Sequence, residues 1–253
     1  MVKIILHGCN GRMGRAITAI VASREDCKIV AGIDITGAQL ADYPVYCSAN
    51  DVPSDTDASV VVDFSTASAV KGVIDFCVAR NLPAVIATTG ITSEVKDYMA
   101  EASKKIAILN SANMSIGVCL IRELAKKASL FLGEDFDVEI VERHHNRKVD
   151  APSGTALAIA DSINEANDGK YEYVYDRQSR HEARDKKELG ISSVRGGNIV
   201  GDHEVIFAGR NEVIEIKHSA MSRELFADGA VKAAVFLAGK PAGKYEIADM
   251  IEF

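Results

Sequence analysis

The sequence lacks three features that would assign it to a compartment or a metal class. No run of apolar residues is long enough to span a bilayer. The first residues, MVKIILHG, lead directly into a strand pattern and show no signal-peptide pattern. The five cysteines are scattered, odd in number and without a CxxC pair. We therefore expect a cytoplasmic protein with reduced cysteines that neither enters a membrane nor holds a metal ion.

Positive charge is also scarce. The chain has 29 lysines and arginines against 36 acidic residues, which gives a net charge of −7. This balance argues against a general nucleic-acid binder, which would present a basic face. Hydrophobic residues make up 47% of the 253 positions, enough for a substantial core. The length indicates one large domain or two modest ones.

A glycine motif stands where the first strand pattern gives way to a helical pattern. The strand at 2–7 is followed by GCNGRMG, which contains Gly8, Gly11 and Gly14. A second strand, KIVAGID, ends at Asp34, where a carboxylate can bind the ribose of a dinucleotide. A plain glycine turn with a solvated aspartate is the alternative. The full series of strand, glycines, helix, strand and acid favours a dinucleotide site.

Three more apolar strands follow at 58–65, 83–90 and 106–113, and helical patterns separate them. Such alternation is typical of a parallel sheet that helices cover on both faces. Polar residues stand at the strand ends, where open α/β sheets bind ligands. We expect Thr88 and Thr89 to contact the cofactor. For Ser65 or Thr66, and for Thr92 or Ser93, a role as helix N-cap is favoured.

The pattern changes after a helix at about 115–131. Residues 135–145 alternate as a half-buried strand does, and 191–222 indicate antiparallel strands with a tight connection. These features predict a second, α+β domain whose open sheet has a face free for oligomer contacts. Residues 168–190 are charged and aperiodic, so we expect a long surface loop. A last strand, YEIADMI at 245–251, is expected to return to the first sheet.

The segment ERHHNRKVDAPSGTALAIA, at 142–160, gathers imidazoles, cations and a helix start. Free N–H groups at a helix start bind anions, lysine and arginine add charge, and histidine delivers protons near neutral pH. Adjacent strand residues point to opposite faces, so one of the two histidines has the alternative of an ordinary buried role. The segment predicts a small polyanion beside a proton donor, which fits hydride transfer coupled to protonation when a dinucleotide is bound.

Seven motifs along the whole chain carry a family resemblance. In chain order they are GCNGRMG, VVDFST, ATTG, SANMSIGV, ERHHNRKVDAPSGTA, SVRGGNIVGDHEVIF and IKHSAMSRELFADGA. With these motifs the sequence closely resembles the bacterial 4-hydroxy-tetrahydrodipicolinate reductases, also called dihydrodipicolinate reductases, of lysine and diaminopimelate biosynthesis. These enzymes reduce a cyclic unsaturated imine dicarboxylate with NADH or NADPH.

The resemblance implies an α/β fold: a Rossmann-type dinucleotide-binding domain at 1–115 plus 225–253, with an inserted α+β domain at 116–224 for substrate binding and oligomerisation. It implies a homotetramer and a dicarboxylate substrate. His144 and Lys148 are the expected catalytic residues. The expected substrate-binding residues are His145, Ser153, Gly154 and Thr155. The expected cofactor-binding residues are Gly8, Cys9, Asn10, Gly11, Arg12, Met13, Asp34, Ala87, Thr88, Thr89, Ser111, Ala112, Asn113 and Met114.

Two departures from the family pattern bear on the cofactor. Many relatives follow the acid at the second strand end with arginine, whereas Asp34 is followed by Ile35 and Thr36. A carboxylate without a neighbouring cation repels a 2′-phosphate, so we predict a preference for NADH, with NADPH as the alternative if Arg12 offsets the repulsion. Met114 replaces an aromatic residue of some members, and we expect little effect because methionine packs adaptably.

Three rival functions stay open at this point. The first half alone would suit another small Rossmann dehydrogenase, for example one acting on amino acids or sugars. A member of the same family acting on a related imine is a second alternative. The third is a cofactor-binding regulator without catalysis, which would be expected to have lost His144 or Lys148; both are present.

Overall fold

The computed structural model describes residues 1–251, and within them strands and helices alternate along most of the chain. None of the helices in this part combines the length and the apolarity that a membrane crossing requires. In chain order the elements are β1 (Val2–His7), α1 (Arg12–Ala22), β2 (Cys27–Ile33), β3 (Val45–Tyr46), β4 (Val60–Asp63), α2 (Val70–Arg80), β5 (Ala84–Ile86), α3 (Ser93–Ala102), β6 (Ala107–Asn110), α4 (Ile116–Leu132), β7 (Asp137–His144), α5 (Gly154–Ala166), β8 (Glu172–Val174), β9 (Glu188–Arg195), β10 (Gly201–Ala208), β11 (Val213–Ala220), α6 (Glu224–Leu237) and β12 (Gly243–Tyr245).

The backbone divides into two units, each with its own sheet. Unit 1 comprises Met1–Ser115 together with the residues from Glu224 onward, and unit 2 comprises Ile116–Arg223. Unit 1 contains a seven-stranded sheet in the order β12-β6-β5-β4-β1-β2-β3, and unit 2 a five-stranded sheet in the order β11-β10-β7-β9-β8. The helix α6 therefore returns the chain to the unit in which it began.

The sheet of unit 1 is parallel throughout and buried on both faces. Every neighbouring pair of its strands runs in the same direction. Alternate residues such as Ile5 and Val61 pack in a cluster with α2 and α3, while Ile4, Leu6 and Val62 on the opposite face are also fully buried. The predicted parallel α/β sheet, covered on both faces, is thus confirmed. Such strands are apolar at every position because neither side meets water.

The expected helix caps are right in one case and wrong in the other. Thr92 accepts a hydrogen bond from the Val95 amide at the start of α3, as predicted. The N-cap of α2 is instead Ala69, and no side chain caps that helix. Ser65 does not cap α2 because its hydroxyl donates to a buried carboxylate on β4, and Thr66 contacts another hydroxyl in the same loop.

The last strand returns to the first sheet, as expected, but it is shorter than the sequence pattern indicated. It is β12, which pairs with β6 in parallel. The expected strand at 245–251 is wrong beyond Tyr245, because Ile247–Met250 form a 3₁₀ helix. Glu246 and Asp249 make a capping box there, and this local pairing outweighs the apolar alternation of the segment.

Unit 2 contains a mixed sheet. Strand β10 runs antiparallel to β7 and to β11, and β10 and β11 form the predicted hairpin. The strand β9 was expected to be antiparallel as well, and this is wrong: it pairs in parallel with β7 and with β8. A parallel pair needs a long crossover, and α5 with the segment after it supplies that crossover between β7 and β9.

The core of unit 2 lies between one face of this sheet and the helices α4 and α5. Val138 and Ile140 on β7 pack there with Phe207 on β10. The same buried face of β7 continues with Glu142 and His144, because residues two apart on a strand share a face. The alternation of buried and less buried residues in β7 therefore continues beyond the apolar core, and its last two buried positions hold ionisable side chains.

The segment at 168–190 is not one long surface loop. It contains β8, and β9 begins within it. Between these strands, Arg177 binds both Glu139 on β7, at 2.8 Å, and Glu188 on β9, at 2.5 Å. Arg184 binds Glu139 as well, at 2.9 Å. The expectation holds for residues 175–187, which form neither helix nor strand and are mostly exposed, and it is wrong for the strands on either side; several of the charges in this loop pair with carboxylates on the sheet.

The unit 2 core predicts an unequal cost for removing two phenylalanines. Phe207→Ala should lower the free energy of unfolding by about 3–5 kcal/mol, because the ring is fully buried and its loss leaves a cavity. Phe131→Ala should change it by less than about 0.5 kcal/mol, since that ring is 89% exposed. Urea unfolding of both variants measures the difference, and equal losses would contradict this description of the core.

Candidate functional site

The glycine loop of unit 1 packs so closely against neighbouring backbone that two of its glycines have no room for a side chain. Gly8 has a φ of +78°, and a Cβ there would collide with the carbonyl of Phe64. A Cβ at Gly14 would collide with the carbonyl oxygens of Gly8 and Cys9. The N-cap of α1 is Gly11, so no side chain covers the N–H groups of its first turn. A backbone cradle at a bare helix start fits a pyrophosphate.

Asp34 is held at the end of β2 by the loops beside it. One carboxylate oxygen accepts from the Asn10 amide at 3.1 Å, and the other accepts from the amide and hydroxyl of Thr36 at 3.1 and 2.9 Å. Burial opposes ionisation of Asp34, but these hydrogen bonds outweigh it and lower the pKa of the carboxyl. Ile35, the next residue, is 93% exposed. Asp34 therefore stands as an anion beside the loop.

A buried carboxylate that was not among the predicted site residues organises the neighbouring strand ends. Asp63, at the end of β4, is fully buried and accepts from Ser65 at 2.6 Å and from Thr88 at 2.7 Å. It also contacts Nδ1 of His7 at 2.6 Å. Since His7 ends β1 and Thr88 follows β5, this one carboxylate ties three parallel strands together. The signal available in the sequence was an acid at the end of the apolar run VVVD.

A cavity of about 460 Å³ opens at the same ends of the unit 1 strands. It brings together half of the fourteen predicted cofactor-binding residues. Ser65, Phe64 and Phe226 also line it; Phe226 comes from α6, whose return to unit 1 no local pattern reveals. Ser111 and Asn113 bond to one another nearby, through the Ser111 hydroxyl at 2.8 Å from the Asn113 carbonyl. The predicted residues in the lining are Arg12, Met13, Ala87, Thr88, Thr89, Ala112 and Met114.

The candidate site of unit 2 is built around Glu142. Its carboxylate is fully buried on β7 and accepts from both terminal nitrogens of Arg195, at 2.8 and 2.7 Å. Nδ1 of His144 lies 2.6 Å from Oε2, and the Ser153 amide donates to Oε1 at 3.0 Å. Burial alone would raise the pKa of Glu142, but the hydrogen bonds, led by that of Arg195, lower it to about 2. Neither Glu142 nor Arg195 is recognisable as a site residue from the local sequence.

The two adjacent histidines have different surroundings, as the alternation of a strand requires. His144 is buried, and its ring packs edge-to-face on His203 with 5.2 Å between the ring centroids. His145 stands outside the strand, with Nε2 at 3.4 Å from Arg223. Partial burial and the positive charges of Arg147 and Arg223 lower the pKa of His145. Within residues 1–251, Nδ1 of His145 has no hydrogen-bond partner although it is buried.

Lys148 lies in the turn that follows. Its amide donates to the carbonyl of His145 at 3.1 Å, which keeps the lysine beside the histidines. Its ammonium pairs with Asp150 at 2.9 Å, and this bond lowers the pKa of the Asp150 carboxyl. Asp150 is more than half exposed, so the pair is open on one side. A ligand anion can therefore compete with Asp150 for the lysine.

The start of α5 divides into an inner and an outer part. Ser153 is buried and caps the helix: its hydroxyl accepts from the Ala156 amide and lies 3.1 Å from Nε2 of His203. A Cβ at Gly154 would meet nothing within 4 Å, so the backbone there faces open space. The polar groups of Ser153 are thus engaged inside the protein, whereas the backbone at Gly154 is open to a ligand.

The described residues contain no group of three or more His, Cys, Asp or Glu side chains arranged to hold a metal ion. The two sites contain hydrogen-bond donors, cations and imidazole. Unit 1 offers a cradle for a dinucleotide. Unit 2 offers anion binding beside a buried imidazole that is hydrogen-bonded to a carboxylate.

Family models of known proteins match both parts of the chain. The family model described as dihydrodipicolinate reductase, N-terminus, matches residues 2–114, and the one described as dihydrodipicolinate reductase, C-terminus, matches residues 117–251. Together they account for nearly the whole chain. The N-terminal model covers the part that contains the glycine cradle, and the family match indicates that the chain binds a nicotinamide cofactor.

Relatives and a solved structure match over their full lengths. The 4-hydroxy-tetrahydrodipicolinate reductase of Clostridium tetani is 50% identical over 99% of this chain and 97% of that protein. The enzyme of the same name from Caldanaerobacter subterraneus is 48% identical over 100% and 99%. A dipicolinate-bound dihydrodipicolinate reductase from Paenisporosarcina superposes with a TM-score of 0.83, covers both chains completely and is 24% identical. The last likeness shows the fold.

The buried His203 predicts a loss of stability in mild acid. Burial lowers the pKa of His203 from 6.5 to about 4. The unfolded chain then binds this proton more readily than the folded one, so the free energy of unfolding should fall as the pH drops from 6.5 to 4, by at most about 3 kcal/mol. His203→Gln should reduce the change in the free energy of unfolding between pH 6.5 and pH 4. Urea unfolding at stepped pH measures it.

The control is His181→Gln, which removes an exposed histidine and should keep the slope of the parent protein. The contribution of His218, whose pKa burial also lowers, is present in all three proteins and cancels in the comparison. An unchanged slope in His203→Gln would contradict the assignment of a neutral, buried imidazole at this position.

Proposed function

The chain belongs to the dihydrodipicolinate reductase family, and on that basis we propose that it reduces dihydrodipicolinate, formed from 4-hydroxy-tetrahydrodipicolinate, to tetrahydrodipicolinate. The reaction is a step of lysine and diaminopimelate biosynthesis. The observation that carries the proposal is the segment from the end of β7 to the start of α5, which contains a buried imidazole, a lysine and an open helix start. A dianion that must accept a proton needs these groups.

A nicotinamide dinucleotide fits the residues of unit 1. The cradle from Gly8 to Met13 would hold the pyrophosphate, since side chains at Gly8 and Gly14 would collide with backbone carbonyls. Asp34, an anion at the end of β2, would bind the adenosine ribose, and the cavity beside Thr88 would take the nicotinamide. When bound, the nicotinamide supplies a hydride to the substrate.

The dicarboxylate is bound by unit 2. One carboxylate would accept from the backbone of Gly154 and Thr155, where the helix start faces open space and its dipole favours an anion. The other would bind His145, whose buried Nδ1 has no partner in the described part of the chain. Lys148 would exchange Asp150 for the substrate. Ser153 supports this site as a cap, behind the residues that touch the ligand.

His144 delivers the proton. Hydride addition leaves the substrate with an extra electron pair, and a positioned acid must neutralise it. His144 is the buried imidazole of the cluster, and its Nδ1 is already engaged by Glu142. Its Nε2 is thus the nitrogen that meets the substrate. Lys148 is the second donor and stabilises the negative charge that accumulates.

The two units are assigned different functions. We assign dinucleotide binding to residues 1–115 and 225–253, and substrate binding and oligomerisation to residues 116–224. The face of the unit 2 sheet opposite α4 and α5 carries the Arg143–Glu204 pair, at 2.8 Å, with Val194 and Val213 exposed. A half-covered sheet face of this kind suits contacts between copies. We propose a cytoplasmic homotetramer assembled through it.

The proposed activity predicts rapid oxidation of NADH by the freshly made product of dihydrodipicolinate synthase. His144→Gln and Lys148→Ala should each lower kcat by about 10²–10⁴-fold, because each removes a proton donor. The dissociation constant for the dinucleotide should stay unchanged, since both residues lie in unit 2. Nicotinamide absorbance measures turnover, and fluorescence titration measures cofactor binding.

The matched control is His181→Gln, which removes an exposed histidine of the same unit and should leave kcat unaltered. Near-native turnover in both site variants would refute the assignment of the proton donors. Intact cofactor binding without oxidation in the parent protein would leave unit 1 with its role and require a different substrate for unit 2.

Asp34 predicts a preference for NADH over NADPH. An ionised carboxylate with Ile35 as its neighbour repels a 2′-phosphate, so kcat/KM should be at least about tenfold higher with NADH, which corresponds to about 1.4 kcal/mol. Asp34→Ser should lower the ratio of kcat/KM with NADH to kcat/KM with NADPH, mainly by raising kcat/KM for NADPH. Parallel assays with the two coenzymes measure it. Equal use of both by the parent protein would contradict the prediction and indicate compensation by Arg12.

A further inference from the structure

Glu142 and His144 form a hydrogen-bonded pair whose geometry bears on the protonation of the imidazole. They stand two residues apart on β7 and share its buried face. The contact joins Oε2 of Glu142 to Nδ1 of His144 at 2.6 Å. The same carboxylate accepts from both terminal nitrogens of Arg195 on β9 and from the amide that starts α5. Two other elements, β9 and the start of α5, therefore fix the carboxylate independently of the imidazole.

This contact determines where the imidazole carries its proton. The hydrogen bonds to Glu142 hold its pKa at about 2, so the group is an anion at neutral pH and accepts hydrogen bonds without donating any. Nδ1 of His144 must then be the donor in the contact. In the neutral ring the proton is on Nδ1 and the lone pair on Nε2, whereas in the imidazolium both nitrogens carry protons.

The surroundings of Nε2 are also specific. A Cβ at Gly201 on β10 would lie 3.0 Å from Nε2 of His144, so glycine keeps this nitrogen uncovered. The charged and titratable groups around the ring are Glu142 on its own strand, Arg195 on β9, His203 on β10, and His145 and Lys148 in the following turn. Of these, Glu142 alone is an anion, and it faces Nδ1.

We propose that Glu142, clamped by Arg195, is a positioning residue that fixes the Nδ1–H tautomer of His144 and leaves Nε2 as the nitrogen that exchanges a proton with the substrate. This inference rests on the proposed function. When the Nε2–H bond of the imidazolium breaks, the proton passes to the substrate and the electron pair stays on Nε2. Nδ1 keeps its own proton, and water restores the one on Nε2. Neither a ring flip nor a transfer between nitrogens is needed.

Glu142→Gln tests this inference because the amide should reverse the tautomer. Oε1 accepts from two fixed donors, the Ser153 amide and one nitrogen of Arg195, whereas Oε2 accepts from one fixed donor of Arg195 and from Nδ1 of His144, which can change its role. The glutamine therefore keeps its oxygen at the Oε1 position and turns its NH₂ group toward Nδ1. Nδ1 must then accept, and the proton moves to Nε2. Nitrogen-15 chemical shifts of histidine-labelled protein, with His144 assigned from the His144→Gln spectrum, should show protonated Nδ1 in the parent protein and protonated Nε2 in the variant.

The change of tautomer in Glu142→Gln should also lower turnover. We expect kcat of Glu142→Gln to fall at least about 100-fold, the scale on which a misplaced histidine proton acts in hydrolases. The Michaelis constant for the dicarboxylate and the dissociation constant for the dinucleotide should stay within about twofold. The matched control is Glu139→Gln, on the same strand but its opposite face, which also loses a carboxylate bound to two arginines. Its kcat and its His144 shifts should not change.

A second variant covers the case in which Glu142→Gln does not fold. Gly201→Ala keeps the Glu142–Arg195 clamp and places a methyl group against Nε2, so it should lower kcat at least about tenfold while Nδ1 stays protonated. Native turnover in either folded variant, or a parent spectrum with protonated Nε2 and bare Nδ1, would overturn the inference. A parent protein without reductase activity but with the Nδ1–H tautomer would refute the proposed function instead.

Discussion

A carboxylate buried away from solvent needs a donor for each lone pair that it turns inward, and Glu142 meets that need from three elements. Arg195, His144 and the Ser153 amide converge on it from β9, β7 and the start of α5. If one partner were removed, a charge would be left uncompensated inside the protein, which is far more costly than a lost surface pair. The arrangement of the unit 2 site therefore depends on this single group.

Unit 1 also contains a buried acidic side chain that several hydrogen bonds hold in place. Asp63 is fully buried, and His7, Ser65 and Thr88 bind it where three parallel strands end. Its effect is to hold in one arrangement the loops that line the cavity. In both units a buried acid, rather than a residue expected to touch a ligand, fixes the geometry of the polar groups around it. Such networks are rigid when every member has its partners.

The sequence predicted the α/β fold and the parallel sheet because apolar strands, helical spacing and glycines are local patterns. It also located the glycine cradle and seven of the residues that line the cavity. It missed Glu142, Arg195 and His203, since each is an ordinary polar residue until strands far apart in the chain are paired. Two wrong expectations, the direction of β9 and the strands within 168–190, were decided by contacts between distant parts of the chain. The cap of α2 and the end of β12 were instead decided by local side-chain hydrogen bonds that hydrophobic periodicity does not register.

What the sequence determined by itself is the set of elements and the chemistry available to them. Backbone preference, periodicity and glycine placement act over a few residues, so they can be seen without a fold. Only the tertiary structure decided which nitrogen of His144 is engaged and which groups surround it, because that depends on β7, β9, β10 and α5 meeting at one point. Hydrogen bonds require donor and acceptor within about 3 Å, and no local pattern specifies that distance across fifty residues of chain.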